Sequence, residues 1–203
     1  METSSTKQGI DEYVASLLND PPPAEAEPDA EAKPDAPPVA LVPPRMEEHG
    51  AELRDIAKSP QVMAWVANGQ TWSARKLEKF FEYCAEEETQ PDAERENHYH
   101  VVTETGRCVG VVGIHPITYD RQARGKVFLT IFLLPQVSGR GVGTKAIAGA
   151  LADYWARYPD ATVYVDIRTD NFPMLRVAEK LALERGGAHR IGQKSYFRCA
   201  ARR

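Results

Sequence analysis

The chain contains segments whose apolar residues repeat at every second position and segments in which they recur every three to four positions. Residues 127–134 are almost all apolar, which is typical of a strand buried on both faces. Residues 161–167 carry valine or isoleucine at every second position, which predicts a strand with one buried face. Apolar residues recur at helical spacing over residues 142–155, so the three segments form a β-α-β unit with parallel strands.

Weaker patterns complete the predicted fold. Residues 99–102 and 108–114 read as two strands joined by the hairpin turn Glu104-Thr105-Gly106-Arg107. The remaining predicted elements are a strand over residues 39–42, a short helix containing Leu53, Ile56 and Ala57, a helix capped by Ser73, a helix running from Asp170 or Asn171 through Leu183 until Gly186 and Gly187 break it, and a strand over residues 194–200. The order β-α-α-β-β-β-α-β-α-β predicts an α/β (α+β) domain over residues 39–203.

The first part of the chain has a different composition. Residues 19–38 are almost entirely Pro, Ala, Glu and Asp, so they cannot bury enough surface to offset the entropy of ordering them. We therefore predict a disordered acidic tail over residues 1–38. Within it, residues 10–18 place apolar side chains on one helical face, which either binds a partner protein, folds onto the domain or has no role.

Charge and composition exclude several classes of protein. Residues 1–38 carry nine acidic and two basic residues, whereas residues 121–203 carry six acidic and fifteen basic ones, a balance that suits a polyanionic ligand. The bases are dispersed, so we expect no nucleic-acid partner. We also expect no membrane partner and no secretory signal. The three cysteines are too scattered for a metal site or a disulfide framework. An intracellular, cytoplasmic location fits best.

The strongest functional signal is the glycine-rich turn Ser138-Gly139-Arg140-Gly141-Val142-Gly143-Thr144, which lies between a buried strand and a helix. Glycine allows a close backbone approach and unusual dihedral angles, and the free N–H groups of a first helical turn attract anions. The turn therefore predicts a pyrophosphate site.

Three kinds of pyrophosphate site compete for this turn. A Walker A loop requires Gly-Lys-Ser/Thr, whereas this chain has Gly143-Thr144-Lys145. A dinucleotide fingerprint has its first two glycines here but Thr144 in place of the third. Asp166 lies where a ribose-binding acid would be wanted, yet too few residues follow for the remaining strands of such a domain. Coenzyme A is the third candidate.

Two sequence blocks favour coenzyme A. Leu133-Leu134-Pro135-Gln136-Val137-Ser138-Gly139-Arg140-Gly141-Val142-Gly143 resembles the acyl-CoA loop of the GCN5-related N-acetyltransferases (GNAT). Ile167-Arg168-Thr169-Asp170-Asn171, followed by Val177-Ala178-Glu179-Lys180-Leu181, is similar to the family's strand-Asn-helix segment. The second block is closest to the RimJ/RimL-like branch, which acetylates ribosomal-protein N-termini. The resemblance covers roughly residues 39–203.

The resemblance implies a mixed sheet of about six to seven strands with flanking helices and a β-α-β core that binds acyl-CoA. It also implies direct transfer of acetyl from acetyl-CoA to a primary amine, including a protein N-terminus. Main-chain groups of Ile131, Phe132 and Leu133 would pair with pantetheine. Asn171 would also contact pantetheine; the alternative is that Asn171 only caps a helix. The pyrophosphate would meet Gly139, Arg140, Gly141, Val142, Gly143 and Thr144.

The general base is not carried over from the family. Phe128 stands where relatives of this branch place a carboxylate, and Ala178 stands where many relatives have a tyrosine acid. The candidates for the base are His115 and Asp166, since an unshifted histidine suits proton transfer near neutral pH and Asp166 lies beside the expected cleft. These departures leave a second hypothesis open, in which the domain is a CoA-binding or scaffold module whose tail recruits a partner.

Overall fold

The computed structural model describes residues 38–66, 69–91, 94–116 and 125–203. The predicted acidic tail, apart from Pro38, and the apolar face at residues 10–18 lie outside the described residues. The described elements, in chain order, are β1 (Val39–Val42), α1 (Met46–Lys58), α2 (Pro60–Met63), α3 (Ala74–Thr89), β2 (His98–Glu104), β3 (Arg107–Pro116), β4 (Val127–Leu133), a 3-10 turn (Pro135–Val137), α4 (Val142–Arg157), β5 (Val163–Arg168), α5 (Phe172–Lys180), β6 (Glu184–Ile191) and β7 (Lys194–Ala201).

The seven strands form one mixed sheet in the order β1-β2-β3-β4-β5-β7-β6. β4 and β5 are parallel, as the β-α-β pattern predicts, and the other neighbouring pairs are antiparallel. α4 and α5 pack on one face of the sheet, against buried residues such as Ile114, Leu129 and Val165. α1, α2 and α3 cover part of the other face, around Val111 and Phe132. The predicted mixed α/β architecture with flanking helices is confirmed.

One element was predicted wrongly. The helix that was expected to continue through Leu183 ends at Lys180, and the chain then forms β6, which the sequence pattern did not reveal. β6 is an edge strand with an exposed face along most of its length, so it lacks the alternation that identifies a half-buried strand. Gly186 and Gly187 lie at a register shift within β6, and so form part of a strand irregularity where a helix break was expected.

Two glycines of β3 allow close contacts that shape the sheet. A Cβ on Gly110 would lie 2.1 Å from the carbonyl oxygen of Phe132, so the absence of a side chain lets β3 approach β4. A Cβ on Gly113 would lie 2.1 Å from Cδ1 of Tyr99, so the tyrosine ring covers the bare backbone there. The helices in the described part of the chain include none long and apolar enough to cross a membrane.

Candidate active site

A gap opens in the middle of the sheet between the two parallel strands. Over their described lengths, β4 and β5 pair only at Val127 with Val163 and at Phe128 with Tyr164. Beyond these pairs the strands separate, while β4 stays paired with β3 as far as Leu133. Residues 129–133 of β4 therefore present a backbone edge to the gap, which an extended ligand with amide groups can pair with.

The glycine-rich turn lies where the gap-lining strand β4 leads into α4. Gly139 and Gly141 have φ angles of 76° and 80°, in the left-handed region that glycine tolerates best, and a Cβ on either would meet nothing within 4 Å. Gly141 caps α4 without a side-chain hydrogen bond, and the first intrahelical bond runs from the N–H of Lys145 to its carbonyl. The preceding N–H groups have no intrahelical acceptor, so they form an open anion cradle.

Arg140 projects from this turn toward the end of β2. Its Nη2 lies 3.0 Å from Oε1 of Glu104, the last residue of β2. The Glu104 side chain is only 10% exposed, whereas that of Arg140 is 49% exposed, and Oε1 lacks hydrogen-bond geometry, so the contact is an ion pair rather than an aligned hydrogen bond. Glu104 holds the Arg140 guanidinium beside the cradle and offsets part of its charge, so Arg140 adds less to the attraction for a diphosphate than an unpaired arginine would.

Asp166 lies on β5 beside the gap and is bound to a cation. Its two carboxylate oxygens accept hydrogen bonds from Nε and Nη2 of Arg198 on β7, both at 2.8 Å, and Nε2 of His189 lies 3.5 Å from Oδ2. The Arg198 guanidinium also lies over the Phe128 ring, 4.9 Å from its centroid. The bidentate pair occupies both carboxylate oxygens of Asp166, which disfavours Asp166 as the base.

We expect Asp166→Asn to lower the free energy of unfolding by about 2 kcal/mol, since the amide can accept only one of the two bonds and removes the negative charge that faces a mostly buried guanidinium. Urea unfolding measures the change. The matched control is Asp170→Asn, which breaks a bidentate pair with Arg168 at a carboxylate that is 56% exposed and should cost less than about 1 kcal/mol. Equal losses in both variants would show that Asp166 is not held as the structure indicates.

His115 lies near the end of β3 and has both ring nitrogens engaged. Nδ1 lies 3.1 Å from the carbonyl oxygen of Pro116, and Nε2 lies 2.9 Å from Oγ1 of Thr130 on β4. The imidazole stacks on Tyr99, with ring centroids 5.5 Å apart and planes inclined by 21°. Burial lowers the pKa of His115 below its ordinary value of 6.5, so the ring is neutral at physiological pH.

The remaining predicted residues lie on β4, at the start of α4 and at the start of α5. Ile131, Phe132 and Leu133 lie on the part of β4 beyond its pairing with β5, and Val142, Gly143 and Thr144 form the first turn of α4. The main-chain groups of Ile131 and Leu133 face the gap, whereas those of Phe132 face Val111 on β3, because Leu134 donates to the Val109 carbonyl and bonded pairs alternate along an antiparallel ladder. Asn171 caps α5, with its Oδ1 accepting the N–H of Met174 at 3.3 Å, which is the structural role that the sequence left as the alternative. Ala178 is buried in the core. The contact of Asn171 with pantetheine stays a prediction.

Three residues at the gap, Thr130, Arg198 and His189, were not predicted from the sequence. Thr130 could have been found, because it is the one polar residue in the apolar run 127–134. Arg198 and His189 gave no signal, since their place beside Asp166 depends on the register of β6 and β7. Among the described residues, no group of three or more His, Cys, Asp and Glu side chains is arranged to hold a metal ion.

Comparisons with known proteins identify the family. A family model described as an acetyltransferase (GNAT) domain matches residues 39–184. No curated protein matches the chain in sequence. Among solved structures, RimJ from Mycobacterium smegmatis in complex with CoA-disulfide is 18% identical, with a TM-score of 0.64 over 80% of this chain and 81% of that one. The ribosomal L7/L12 α-N-protein acetyltransferase RimL with coenzyme A is 14% identical, with a TM-score of 0.64 over 80% and 93%.

The same fold also occurs in an enzyme that acts on a different kind of acceptor. The aminoglycoside acetyltransferase AAC(6')-Ib in complex with coenzyme A is 16% identical, with a TM-score of 0.63 over 82% of this chain and 95% of that one. At these identities the structures establish the shared fold. Because the family model covers most of the chain and the sheet, the gap and the glycine-rich turn agree with it, the chain belongs to the GNAT acetyltransferase family, as its two motifs predicted.

Proposed function

We propose that the protein is an acetyl-CoA-dependent N-acetyltransferase that transfers acetyl to a primary amine. The observation that carries the proposal is the gap between β4 and β5, whose open backbone edge leads directly into the glycine cradle at the start of α4. One extended molecule with amide groups along its arm and a diphosphate at its end fits this arrangement. Coenzyme A has that form, and it is bound in the RimJ, RimL and aminoglycoside acetyltransferase structures.

The residues present fit acetyl-CoA as the acyl-donor substrate. The N–H groups ahead of Lys145 would bind the diphosphate, and Arg140 would add charge beside it. Main-chain groups of Ile131 and Leu133 would pair with the pantetheine arm, with Asn171 on the opposite side of the gap. A main-chain N–H near Leu133 would polarise the thioester carbonyl and stabilise the developing oxyanion.

The amine needs a base to accept its proton as the new C–N bond forms. Of the two predicted candidates, we favour His115, because its ring is neutral and Nε2 has a lone pair when Nδ1 donates to the Pro116 carbonyl. Asp166 is engaged at both oxygens by Arg198, so we assign it a structural role beside the gap.

A protein N-terminus is our preferred acceptor. The support is the likeness of the second sequence block to the RimJ/RimL branch and the presence of RimJ and RimL among the structures of the same fold. The runner-up is a catalytically weak CoA-binding module. Phe128 and Ala178, at the places where relatives have a carboxylate and a tyrosine, are the observations that favour it.

Ligand-dependent stabilisation tests the donor. At a concentration of about 100 times its Kd, acetyl-CoA should stabilise the fold by about 2.7 kcal/mol, which raises Tm by roughly 5–10 °C for a chain of this size. NAD at the same concentration should leave Tm unchanged, since Asp166 is paired with Arg198 and is not free to bind a ribose. Stabilisation by NAD but not by acetyl-CoA would refute the proposal. Stabilisation by acetyl-CoA without turnover of any peptide or small amine would favour the binding module.

A further inference from the structure

Thr130 and Asp166 are the residues that flank the opening of the gap. Each lies two positions beyond the last pair, Phe128 with Tyr164, so side-chain alternation puts all four on the same face of the sheet. The opposite face is filled, because Leu129 and Ile131 pack against the core beneath α4. An amine that reaches a thioester held in the gap must therefore arrive on the face where Thr130 and Asp166 lie.

The contact with His115 determines how the Thr130 hydroxyl is oriented. The Pro116 carbonyl can only accept, so Nδ1 of His115 carries the proton and Nε2 carries the lone pair. Thr130 must then donate its hydroxyl proton to Nε2, across the 2.9 Å contact. The lone pairs of Oγ1 can still accept a proton from a group in the gap. The hydroxyl proton of Thr130 is already directed at Nε2 of His115.

The imidazole is held in place by packing from the neighbouring strand. Tyr99 stacks on the His115 ring, and it can lie there because Gly113, opposite Tyr99 in the β2–β3 register, has no side chain. Thr130 is opposite Gly113 in the β3–β4 register, so the three residues lie side by side across β2, β3 and β4. The ring therefore has one orientation, with Nε2 toward Thr130.

We propose, on the basis of the function proposed above, that Thr130 is a catalytic residue whose hydroxyl relays a proton from the attacking amine to His115. The amine lone pair forms the C–N bond, and one N–H proton passes to Oγ1 of Thr130 while the hydroxyl proton passes to Nε2. The C–S bond breaks with its electron pair on sulfur. The products are the amide, the CoA thiolate and an imidazolium, which returns its extra proton to solvent or to the thiolate.

The test compares Thr130→Val, Thr130→Ser and wild type with acetyl-CoA and the best substrate from a panel of peptides covering all twenty N-terminal residues. Valine keeps the shape of threonine but loses the hydroxyl, so kcat should fall about 100-fold, the lower range for general-base catalysis. Serine keeps the hydroxyl and should stay within about fivefold of wild type. Thr103→Val is the matched control, since that buried β2 hydroxyl bonds the Ala40 carbonyl and should leave kcat unchanged.

The pH dependence of kcat separates a relay from a packing role. The wild-type rate should fall with acid as His115 becomes protonated, with an inflection below pH 6.5, and this limb should be absent in Thr130→Val. Tyr99 on β2 stacks on the ring, and Cys84 and Glu87 on α3 lie near Tyr99. Tyr164 and Asp166 on β5 and Arg198 on β7 lie on the same face of the sheet as Thr130. Burial raises the pKa of Tyr99 above its ordinary value and that of Cys84 to about 12, so neither produces this limb.

A double-mutant cycle completes the test. If the two residues act as one unit, Thr130→Val combined with His115→Gln should lose no more activity than either single variant. Wild-type kcat and an intact acid limb in Thr130→Val, or additive losses in the double variant, would overturn the relay while leaving the transferase function standing. A wild-type protein that binds acetyl-CoA but acetylates neither the peptides nor a panel of small primary amines would overturn the proposed function, and the relay with it.

Discussion

Replacing Gly141 by glutamate is expected to abolish acetyl-CoA binding while leaving the domain folded. The residue has a φ of 80° and caps α4, so its neighbours' N–H groups point at the space where the diphosphate would lie. A glutamate there would put a carboxylate into that space and would strain a backbone conformation that favours glycine. A Cβ would meet nothing within 4 Å, so no core contact is lost. We expect the Kd to rise at least 100-fold, measured by calorimetric titration.

Gly192→Glu is the matched control for this change. Gly192 has a φ of 60° in the turn between β6 and β7, and a Cβ on it would also meet nothing within 4 Å. The substitution therefore adds the same charge and a similar backbone strain at a site outside the cradle, and acetyl-CoA affinity should stay within about twofold of wild type. Unchanged affinity in Gly141→Glu would refute the assignment of the cradle. An equal loss in both variants would indicate a general effect of charge or strain.

The cradle was predictable from sequence because its chemistry is local. Gly139, Gly141 and the following helix are adjacent in the sequence, so one short segment determines the conformation of the turn. The parallel pair β4 and β5 was predictable for a similar reason, since a strand-helix-strand pattern admits one handedness of crossover.

The chemistry at the opening of the gap was less predictable from the sequence, because it depends on the register between neighbouring strands. His115 was proposed from its residue type, but its orientation follows from Thr130, Gly113 and Tyr99, which come from three strands. Asp166 was proposed without its partner, since Arg198 lies 32 residues further along the chain and meets it only through the β5–β7 pairing. A residue's type thus suggests a role, whereas the cross-strand neighbours decide whether its lone pairs are available.

These register-dependent contacts also explain why acid–base residues of relatives could not be transferred. Phe128 is buried at the last pair before the gap, beneath the Arg198 guanidinium, so no acid is present at the position where the family pattern expects one. The hydroxyl of Thr130 lies one step closer to the opening on the same face. The proposed relay therefore uses residues of β3 and β4, which lie beside each other in the sheet.

Gly110→Ala is expected to cause the largest loss of stability among single-methyl additions to the sheet, about 3 kcal/mol or more. The new Cβ would lie 2.1 Å from the Phe132 carbonyl oxygen and 2.9 Å from Cα of Leu133, both backbone atoms that no rotamer change can move away. Relief requires β4 to shift from β3, and residues 131–133 form the edge that would pair with pantetheine. Affinity for acetyl-CoA should therefore fall together with the free energy of unfolding.

Urea unfolding and calorimetric titration of the same preparation measure both effects. The control is Gly187→Ala on the edge strand β6, where the new methyl would meet nothing within 4 Å and should change stability by less than about 0.5 kcal/mol. A variant at Gly110 that loses stability but keeps full affinity would show that residues 131–133 do not position the cofactor arm. A variant that loses neither would contradict the close approach of β3 and β4, on which the geometry of the gap depends.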